Sequence, residues 1–310
     1  GLGRTGINPP VGCIIVKHGV VIGRGWTQPN GRPHAEAMAL VAAGRAAAGA
    51  TVYVTLEPCA HRSNRGPSCA SLLVDAEVAR AVVAVEDPDP RTAGMGVTRL
   101  RQAGIEVAVG VCGDETQRAL AGFFSRIQRG RPFVTLKLAA SLDGQIAMAD
   151  GRSRWITGDA ARAHTHVERT RSDAILVGAG TYRADSPRLN VRLPGLEDRD
   201  PLRIILGSGD APDGWDIIRA PDEIASLACN NLLVEGGALT ASAFLRAGLV
   251  DRLMLYRAPI LIGAGKACLG DIGLGSLDEA HGQWRLLDKR QLGKDSLEVY
   301  DSINRPEAHP

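Results

Sequence analysis

The sequence predicts an α/β protein of two domains, and three observations support this prediction. The chain has 310 residues, which is enough for two domains of ordinary size. Short runs of apolar and β-branched residues alternate with helical segments along most of its length, a pattern typical of α/β folds. The segment Gly130-Arg131-Pro132 breaks this alternation between a helix and a strand. We therefore predict domains at residues 1–130 and 131–310.

The composition excludes several classes of protein. Hydrophobic residues make up 45% of the chain, and the formal net charge is +2, with both signs mixed along the sequence. No basic block or aromatic-basic stripe indicates a nucleic-acid surface. No stretch approaches the roughly 18 apolar residues of a membrane span. The six cysteines are scattered rather than arranged as a disulfide framework, which favours a reducing cytoplasm.

The first domain is predicted to be an α/β/α sandwich that begins with a hairpin around Lys17-His18-Gly19. The alanine-rich segment 35–48 follows Pro33, which is tolerated in a first helical turn. The continuous apolar run 81–85 is typical of a parallel strand buried on both faces. The full prediction is strands at 11–16 and 20–25, a helix at 35–48, a strand at 51–56, a helix at 69–76, a strand at 81–85, a helix at 96–103, a strand at 105–109 and a helix at 114–129.

One histidine, two cysteines and a carboxylate form a pattern that suits a catalytic zinc centre. Zinc binds imidazole nitrogen and thiolate sulfur, and a catalytic site leaves a position open for water. His34, Cys59 and Cys69 can supply those ligands, and Glu36 can move a proton to a leaving amine. The order His-x-Glu, then Pro-Cys, is typical of zinc deaminases. Here nine residues, 60–68, separate the two cysteines instead of the usual two.

Two alternatives remain open from the residues alone. A single His-x-Glu on a helix is usually part of a solvated face, and isolated cysteines in such a chain are usually buried thiols. His61 is also a possible zinc ligand by residue type. The joint pattern, in this order and after a strand, is much more specific than any of its parts.

Four motifs of the first domain resemble the deaminase domain of the bifunctional riboflavin-biosynthesis deaminase/reductase family. They are Asn8 to Cys13, Thr55 to His61, Gly66 to Cys69 and Asp87-Pro88-Asp89-Pro90. The resemblance implies a cytidine-deaminase-like fold, zinc held by His34, Cys59 and Cys69, a catalytic Glu36, and a substrate contact at Asn8. It leaves His61 as a loop or substrate-side residue and implies a helix before Gly1. Asp89 replaces the family's usual asparagine, and the loop between the cysteines is about one residue longer than usual.

The second domain is predicted to alternate strands and helices again, with glycines directly after two strands. Residues 178–181 and 236–237 stand at such junctions, where a phosphate can approach backbone N–H groups. Ordinary tight turns explain the same glycines equally well. The predicted elements are strands at 133–138, 174–177, 202–206, 231–234, 250–256 and 297–300, and helices at 159–171 and 239–247.

Three motifs of the second domain resemble the same family's reductase domain, which is similar to dihydrofolate reductase in fold and uses NADPH. They are Leu136 to Gly144, Trp155-Ile156-Thr157 and Val234-Glu235-Gly236-Gly237. The resemblance places NADPH contacts at Ala139, Trp155, Thr181, Asp185, Ser208, Gly237, Ala238, Leu239, Thr240, Ala241, Ser242 and Ala243. It places substrate contacts at Ser153, Arg169, Leu189, Arg192 and Glu235. Arginines suit a sugar phosphate because their donors bind it in pairs.

Lys137 and Glu235 are the predicted proton-handling residues of the reductase, because each lies at a strand beside a cofactor motif of the resembling family. An internal ion pair without proton chemistry is the alternative. The segment 209–230 is shorter than the family's usual one, so we expect either a trimmed loop or missing residues there.

The resemblance implies a bifunctional enzyme of riboflavin biosynthesis. It would hydrolyse the 2-amino group of 2,5-diamino-6-ribosylamino-4(3H)-pyrimidinone 5′-phosphate with zinc. It would then reduce the ribosyl group of 5-amino-6-(5-phosphoribosylamino)uracil to ribityl with NADPH. We expect a cytoplasmic homo-oligomer that binds neither nucleic acid nor membrane. The alternatives are a nucleic-acid base deaminase, and a nucleobase deaminase fused to a non-catalytic nucleotide-binding domain.

Overall fold

The computed structural model describes residues 1–61 and 66–303. The chain forms two compact units, Gly1–Gly130 and Arg131–Pro310. In the described part of the chain, no helix combines the length and the apolar character needed to cross a membrane.

The first unit is built on a sheet of five strands in the order β2-β1-β3-β4-β5. The hairpin β1–β2 is antiparallel, β1 pairs antiparallel with β3, and β3, β4 and β5 are parallel. The strands are β1 Gly12–Lys17, β2 Val20–Trp26, β3 Thr51–Leu56, β4 Arg80–Val85 and β5 Glu106–Val109. The helices are α1 Ala35–Ala43, α2 Cys69–Asp75, α3 Met95–Gln102, α4 Gly113–Ala119 and α5 Ala121–Arg129. Short 3-10 turns cover Pro29–Gly31 and Gly44–Ala47.

Two predicted helices of the first unit differ from the structure. The helix expected at 35–48 ends at Ala43, because Gly44 adopts a positive φ of 55° and a 3-10 turn follows. The helix expected at 114–129 is two helices that meet at Leu120. Leu120 leaves helical geometry there and is buried in the same core cluster as Phe123. Periodicity alone predicted one helix because the apolar spacing continues across the break.

The second unit is built on an eight-stranded sheet in the order β10-β9-β8-β11-β6-β12-β15-β14. Its first six strands are mutually parallel. Strand β15 pairs antiparallel with β12 on one side and with β14 on the other. These strands are β6 Phe133–Ala140, β8 Ala174–Gly178, β9 Leu202–Leu206, β10 Trp215–Ile218, β11 Asn231–Val234, β12 Arg252–Arg257, β14 Trp284–Leu292 and β15 Asp295–Ser302. The helices are α6 Asp159–Arg171, α7 Ala179–Asp185 and α8 Ala238–Arg246. A separate pair joins β7 Gln145–Met148 and β13 Gly265–Ala267, and 3-10 turns cover Pro221–Ser226 and Asp278–Ala280.

Four strands of the second unit, β7, β10, β13 and β14, were not predicted. Strand β14 carries several charged residues and is mostly exposed, so its sequence lacks the apolar alternation of a half-buried strand. It forms because it pairs along its length with β15, whose residues are largely buried. The segment 209–230, expected as a trimmed loop, contains β10 and a 3-10 turn.

Close contact between α1 and β2 depends on a glycine in the strand. A Cβ added to Gly25 would lie 2.0 Å from the Ala35 carbonyl oxygen and 2.6 Å from the Ala39 nitrogen. Both are backbone atoms of α1, so no side-chain rotation can relieve the clash. Helix α1 also begins directly after His34, so its seat on the sheet sets the position of that residue.

We expect Gly25→Ala to lower the free energy of unfolding of the first unit by about 1–3 kcal/mol, because overpacking forces backbone shifts. Gly12→Ala is the matched control, since its added Cβ would make only an ordinary 3.8 Å contact with the Thr55 side chain. Urea unfolding followed by circular dichroism would measure both variants. Equal stability of the two would contradict the packing argument.

Candidate functional site

Three metal-ligand side chains converge where α1, β3 and α2 meet. His34 is the residue before α1, Cys59 lies three residues beyond β3, and Cys69 is the first residue of α2. The His34 Nδ1 atom lies 3.2 Å from Cys69 Sγ and 3.6 Å from Cys59 Sγ. All three ligand atoms lie within 4.8 Å of one another, and both cysteines are buried. The structure thus brings together the three residues predicted to bind zinc.

This donor set fits a tetrahedral zinc ion. Ligand atoms that share one such ion lie about 3.5–4 Å apart, given zinc–nitrogen and zinc–sulfur bonds of about 2.0–2.3 Å. The observed separations come close to this range without any rearrangement of the backbone. With three protein ligands, a fourth position would remain for water or substrate, as in catalytic zinc sites. His61, the alternative ligand, is outside this cluster, and its Nδ1 atom lies 3.4 Å from Thr92 Oγ1.

The surroundings of the two sulfurs favour a thiolate. The Cys69 side chain and His34 lower the pKa of Cys59 to about 4 against the effect of burial. The Cys69 backbone N–H also donates to Cys59 Sγ at 3.3 Å. The hydrogen bond with the Cys59 side chain, together with burial, raises the pKa of Cys69. The start of α2 supplies the Cys69 N–H donor and a partial positive charge, and both favour the Cys59 thiolate.

Glu36 lies in the first turn of α1 and is 3% exposed. Burial raises the pKa of Glu36 to about 7, and the Cys59 charge adds to this rise. A carboxyl group with a pKa near neutrality can both accept and release a proton under ordinary conditions. The structure therefore places a suitable proton carrier beside the predicted zinc ligands.

His34, Glu36 and Cys59 open onto a cavity of about 530 Å³, called the first cavity here. Asn8 and His61, both singled out from the sequence, line it. Residues 62–65 of the loop between the cysteines lie outside the described part of the chain. The lining is Ile7, Asn8, Pro9, Val11, Thr27, Arg32, His34, Glu36, Leu56, Glu57, Cys59, His61, Asp87, Asp89, Arg91, Phe123, Arg126 and Ile127.

Several lining residues were not predicted as functional. Burial raises the pKa of Asp87 to about 7, and the charges of Asp89 and Glu57 contribute. The Arg91 side chain lowers the pKa of Asp89 through direct hydrogen bonds. Both acids belong to the motif Asp87-Pro88-Asp89-Pro90 that resembles the family, and they follow β4, where ligands collect in such sheets. No role was predicted for either acid. Helix α5 also contributes to the lining, and no local pattern indicated that.

The second unit contains a larger cavity of about 800 Å³, called the second cavity, with a buried charge cluster in its wall. Arg169 binds the Glu235 carboxylate through two hydrogen bonds, at 2.8 Å from Nε and 3.1 Å from Nη2. The Lys137 ammonium lies 3.8 Å from the same carboxylate. Parallel pairing of β11 with β6 sets Val234 opposite Leu136, so the next residues, Glu235 and Lys137, are neighbours.

The charges in this cluster shift one another's pKa values. Burial lowers the pKa of Lys137, although the Glu235 carboxylate opposes the shift. Burial acts to raise the pKa of Glu235, but the charges of Arg169 and Lys137 outweigh it, and the net shift is downward. The Tyr256 ring lies under the ammonium, with Nζ 5.6 Å from the ring centroid. Its hydroxyl is held 2.8 Å from His164 Nδ1.

The glycine-rich ends of β8 and β11 form a close-fitting wall of the second cavity. A Cβ on Gly178 would lie 2.2 Å from the Thr240 hydroxyl, so α8 approaches as closely as it does only because glycine stands there. The Gly237 N–H donates to Thr181 Oγ1 at 3.2 Å. Helix α8 begins beside the cavity without a side-chain cap, which leaves backbone N–H groups available to an anion. This wall fits the phosphates of a dinucleotide cofactor.

Most of the residues expected to contact NADPH or substrate in the second unit line this cavity. They are Ala139, Ser153, Trp155, Arg169, Thr181, Asp185, Arg192, Glu235, Gly237, Ala238, Leu239, Thr240 and Ala243. Lys137, predicted to handle protons, lines the cavity as well. Four others do not line it: Leu189, Ser208, Ala241 and Ser242. Leu189 and Ala241 are buried in apolar clusters, and Ser242 Oγ accepts a hydrogen bond from the Gly270 N–H. Ser208 is exposed in the loop after β9.

His166 lines the second cavity and was not predicted. Its Nδ1 accepts a hydrogen bond from the Arg192 N–H at 3.3 Å, which ties the loop carrying Arg192 to α6. Burial lowers the pKa of His166, and the charges of Arg169 and Arg192 lower it further. Its spacing three residues before Arg169 on one helix face was the signal that could have indicated it.

Comparisons with known families match both units. Residues 2–85 match the cytidine and deoxycytidylate deaminase zinc-binding region. Residues 132–225 and 216–297 match the RibD C-terminal domain. The riboflavin biosynthesis protein RibD of Escherichia coli K12 is 38% identical over an alignment 338 positions long, which covers 93% of this chain and 92% of that protein. For its counterpart in Mycobacterium tuberculosis H37Rv, the identity is 39% over an alignment 312 positions long, which covers 95% of this chain and 91% of that protein.

Solved structures give the same result. Acinetobacter baumannii RibD (form 2) superposes with a TM-score of 0.87 at 38% identity and covers 98% of this chain and 95% of that one. A Thermotoga maritima protein, described as a diaminohydroxyphosphoribosylaminopyrimidine deaminase/5-amino-6-(5-phosphoribosylamino)uracil reductase, superposes with a TM-score of 0.86 at 31% identity. It covers 98% of this chain and 95% of that one.

These matches confirm the predicted fold class, a cytidine-deaminase-like sandwich followed by a dihydrofolate-reductase-like α/β fold. They also confirm the predicted cofactors, zinc for deamination and NADPH for reduction. With this identity over nine-tenths of the chain, the protein belongs to the RibD family of bifunctional riboflavin-biosynthesis deaminase/reductases.

Proposed function

We propose that residues 1–130 deaminate a phosphorylated diaminopyrimidine and that residues 131–310 reduce the ribosyl group of the product. The substrates are 2,5-diamino-6-ribosylamino-4(3H)-pyrimidinone 5′-phosphate and then 5-amino-6-(5-phosphoribosylamino)uracil, in line with the activities that name the Thermotoga maritima relative. The observation that carries the proposal is that each unit has its own cavity with the charged residues that its reaction needs. A non-catalytic second domain would not require a half-buried lysine beside a carboxylate in its cavity wall.

For deamination, His34, Cys59 and Cys69 would hold the zinc, which would supply a water made reactive near neutral pH. Water adds at C2 of the pyrimidine, and the bond from C2 to the amino nitrogen then breaks. The leaving nitrogen must gain a proton to depart as ammonia. Glu36 takes the proton from the attacking water and delivers it to that nitrogen. Asn8 and His61 line the same cavity and orient the ring.

For reduction, the second cavity would hold NADPH, which would supply the hydride that C1 of the ribosyl group requires. That carbon accepts hydride only after the bond from C1 to the ring oxygen opens, and the ring oxygen then needs a proton. The Lys137 ammonium is the proton source, and the Glu235 carboxylate holds it in place from 3.8 Å. Arg169 keeps Glu235 ionised and oriented through its two hydrogen bonds. The pair thus provides the proton movement that ring opening requires.

Arginines of the second cavity are proposed to bind the substrate phosphate. Arg192 lines the cavity, and its Nη1 donates to Asn190 Oδ1 at 3.1 Å. Arg169 already uses three of its nitrogens, two on Glu235 and Nη1 on the Asn190 carbonyl at 3.0 Å. We therefore assign the larger share of phosphate binding to Arg192, with Ser153 beside it in the lining. Leu189, Ser208, Ala241 and Ser242, which do not line the second cavity, remain proposed contacts.

The proposed substrates and cofactors are small molecules of metabolism, and we propose that the enzyme acts in the cytoplasm as a homo-oligomer. Light scattering behind size-exclusion chromatography would test the oligomeric state. Incubation with the diaminopyrimidine phosphate, with and without NADPH, would test the function by mass analysis. Deaminated product should form without NADPH, and the product gains two hydrogens only when NADPH is present.

The zinc assignment predicts a separation of the two activities. The purified protein should hold about one zinc per chain. Cys59→Ser should lose the metal and the deaminase activity, because serine is a poor ligand for zinc, yet it should keep NADPH oxidation with the deaminated substrate. Metal analysis by mass spectrometry and the two assays would measure this. Full zinc occupancy in the variant would assign the ligand elsewhere.

Glu36→Gln should keep zinc and lose deamination. Glutamine has nearly the same shape but cannot carry the proton, and a positioned acid or base contributes about 10²–10⁴-fold to the rate. We expect kcat of the deaminase to fall by at least about a hundredfold, with the reductase unchanged as the internal control. Retention of more than about a tenth of the activity would place the proton carrier elsewhere.

Lys137→Met and Glu235→Gln should each lower reductase kcat by at least about a hundredfold. The deaminated ribosyl compound should then accumulate, because the first cavity is unaffected. NADPH fluorescence titration and thermal unfolding would establish that both variants fold and bind the cofactor. Reduction at a near wild-type rate by both folded variants would leave the lysine and carboxylate as a structural ion pair.

A further inference from the structure

Glu57 is a buried carboxylate of the first unit whose role does not follow from the reaction described above. It is 3% exposed and lies directly after β3, two residues before Cys59. Its Oε2 atom accepts hydrogen bonds from the Asp87 N–H at 3.1 Å and the Gly94 N–H at 2.9 Å. Its Oε1 atom accepts one from the Val97 N–H at 2.9 Å. All three donors are backbone N–H groups of residues 87–97, which lie at least thirty positions after Glu57 in the sequence.

Two of these donors belong to the start of α3. Gly94 is the residue before that helix, and it has no side chain to accept the first N–H groups. Glu57 takes the place of a capping side chain from across the sheet edge, and its negative charge suits the positive end of the helix. The third donor, Asp87, follows β4 and lines the first cavity. One side chain thus joins β3, the loop after β4, and α3.

The hydrogen bonds of Glu57 also determine where Cys59 lies. The Glu57 N–H donates to the Val85 carbonyl at 2.9 Å, so both backbone and side chain of this residue are bound. Pro58 then restricts the backbone between Glu57 and Cys59. The Pro58 carbonyl is packed against α3, because a Cβ on Gly96 would lie only 2.0 Å from that oxygen. The chain therefore reaches Cys59 along a path that leaves little freedom.

We propose that Glu57 is a positioning residue for the metal centre of the first unit. It holds the strand end that carries Cys59 against α3 and the Asp87 loop, so that the Cys59 sulfur meets His34 and Cys69 at ligand distance. The proposal rests on the proposed zinc-dependent deamination, and it concerns metal affinity separately from catalysis. Outer partners that orient metal ligands typically contribute about 10–100-fold to metal affinity or activity.

Glu57→Gln is the direct test. Glutamine keeps the size of the side chain but replaces one carboxylate oxygen with an NH₂ group, so at least one of the three backbone N–H groups would face another donor. Glu86→Gln is the matched control, because Glu86 is the exposed neighbour of Asp87 on the same loop. Zinc affinity of both variants would be measured by competition with a chromophoric chelator. The visible spectrum of the cobalt-substituted protein would report the geometry of the thiolate ligands.

The proposal predicts that Glu57→Gln binds zinc about 10–100-fold more weakly than the wild type and shifts the cobalt spectrum. Glu86→Gln should match the wild type in both, and the reductase should be unchanged in both variants. Wild-type zinc affinity and an unshifted cobalt spectrum in Glu57→Gln would overturn it. Failure of the wild type to deaminate the diaminopyrimidine would count against the proposed function alone, because the metal measurements need no substrate.

A second variant separates positioning from folding. Glu57→Asp keeps the charge but shortens the side chain by one methylene, so it cannot reach all three donors. It should weaken zinc binding in the same direction, while circular dichroism at saturating zinc stays native. Unfolding of the first unit in both variants at saturating zinc would contradict the proposal, since it would assign Glu57 to overall stability.

Discussion

Parallel strand pairing determines where the chemistry of both units lies. The pairing of β3 with β4, and of β11 with β6 and β8, brings the carboxyl ends of these strands to one edge of each sheet. Residues that follow those ends become neighbours although they are far apart in sequence. Cys59 and Asp87 meet in this way in the first unit, and Glu235 and Lys137 in the second. A shift of one residue in register would turn these side chains to the other face of the sheet.

Two buried carboxylates behave in opposite ways because their neighbours differ. Glu36 is surrounded by sulfur ligands, and burial raises its pKa to about 7. Glu235 is also largely enclosed, with its side chain 11% exposed, but the charges of Arg169 and Lys137 keep its pKa low. The first group is therefore suited to carrying a proton in both directions, and the second to holding a cation in place. Burial alone cannot distinguish these roles, since it disfavours the charged form in both cases.

Side chains outside the reacting groups give each site its rigidity. Glu57 joins three segments of the first unit through backbone donors, and Arg169 joins Glu235 to the Asn190 loop in the second. A buried charge of this kind is stabilised only while its partners stay in place. Such residues are therefore expected to limit movement of the catalytic groups, which is the condition for a fixed reaction geometry.

The sequence alone determined the two-part α/β architecture, the zinc ligands as residue types in order, and the glycine-rich strand ends. These features depend on local periodicity and on motifs that span a few residues, so the sequence alone is enough to predict them. The resemblance to a known family then extended them to both activities and both cofactors. Even so, the break at Leu120 and the strand β14 were missed, because neither has a local signal that differs from a continuous helix or a loop.

Only the tertiary structure decided which distant residues complete the sites. Phe123, Arg126 and Ile127 of α5 line the first cavity, although α5 follows the last sheet strand of that unit. The Tyr256 ring lies beneath the Lys137 ammonium. Arg169 donates two hydrogen bonds to Glu235, so these donors are not available to a phosphate. Such contacts depend on strand register and on helix packing. Arg169 and Glu235, for example, are more than sixty positions apart in the sequence. Local patterns show which face of a helix or strand is buried, but they do not show which other element covers that face. For this physical reason, the sequence alone could not predict the long-range contacts that complete the two sites.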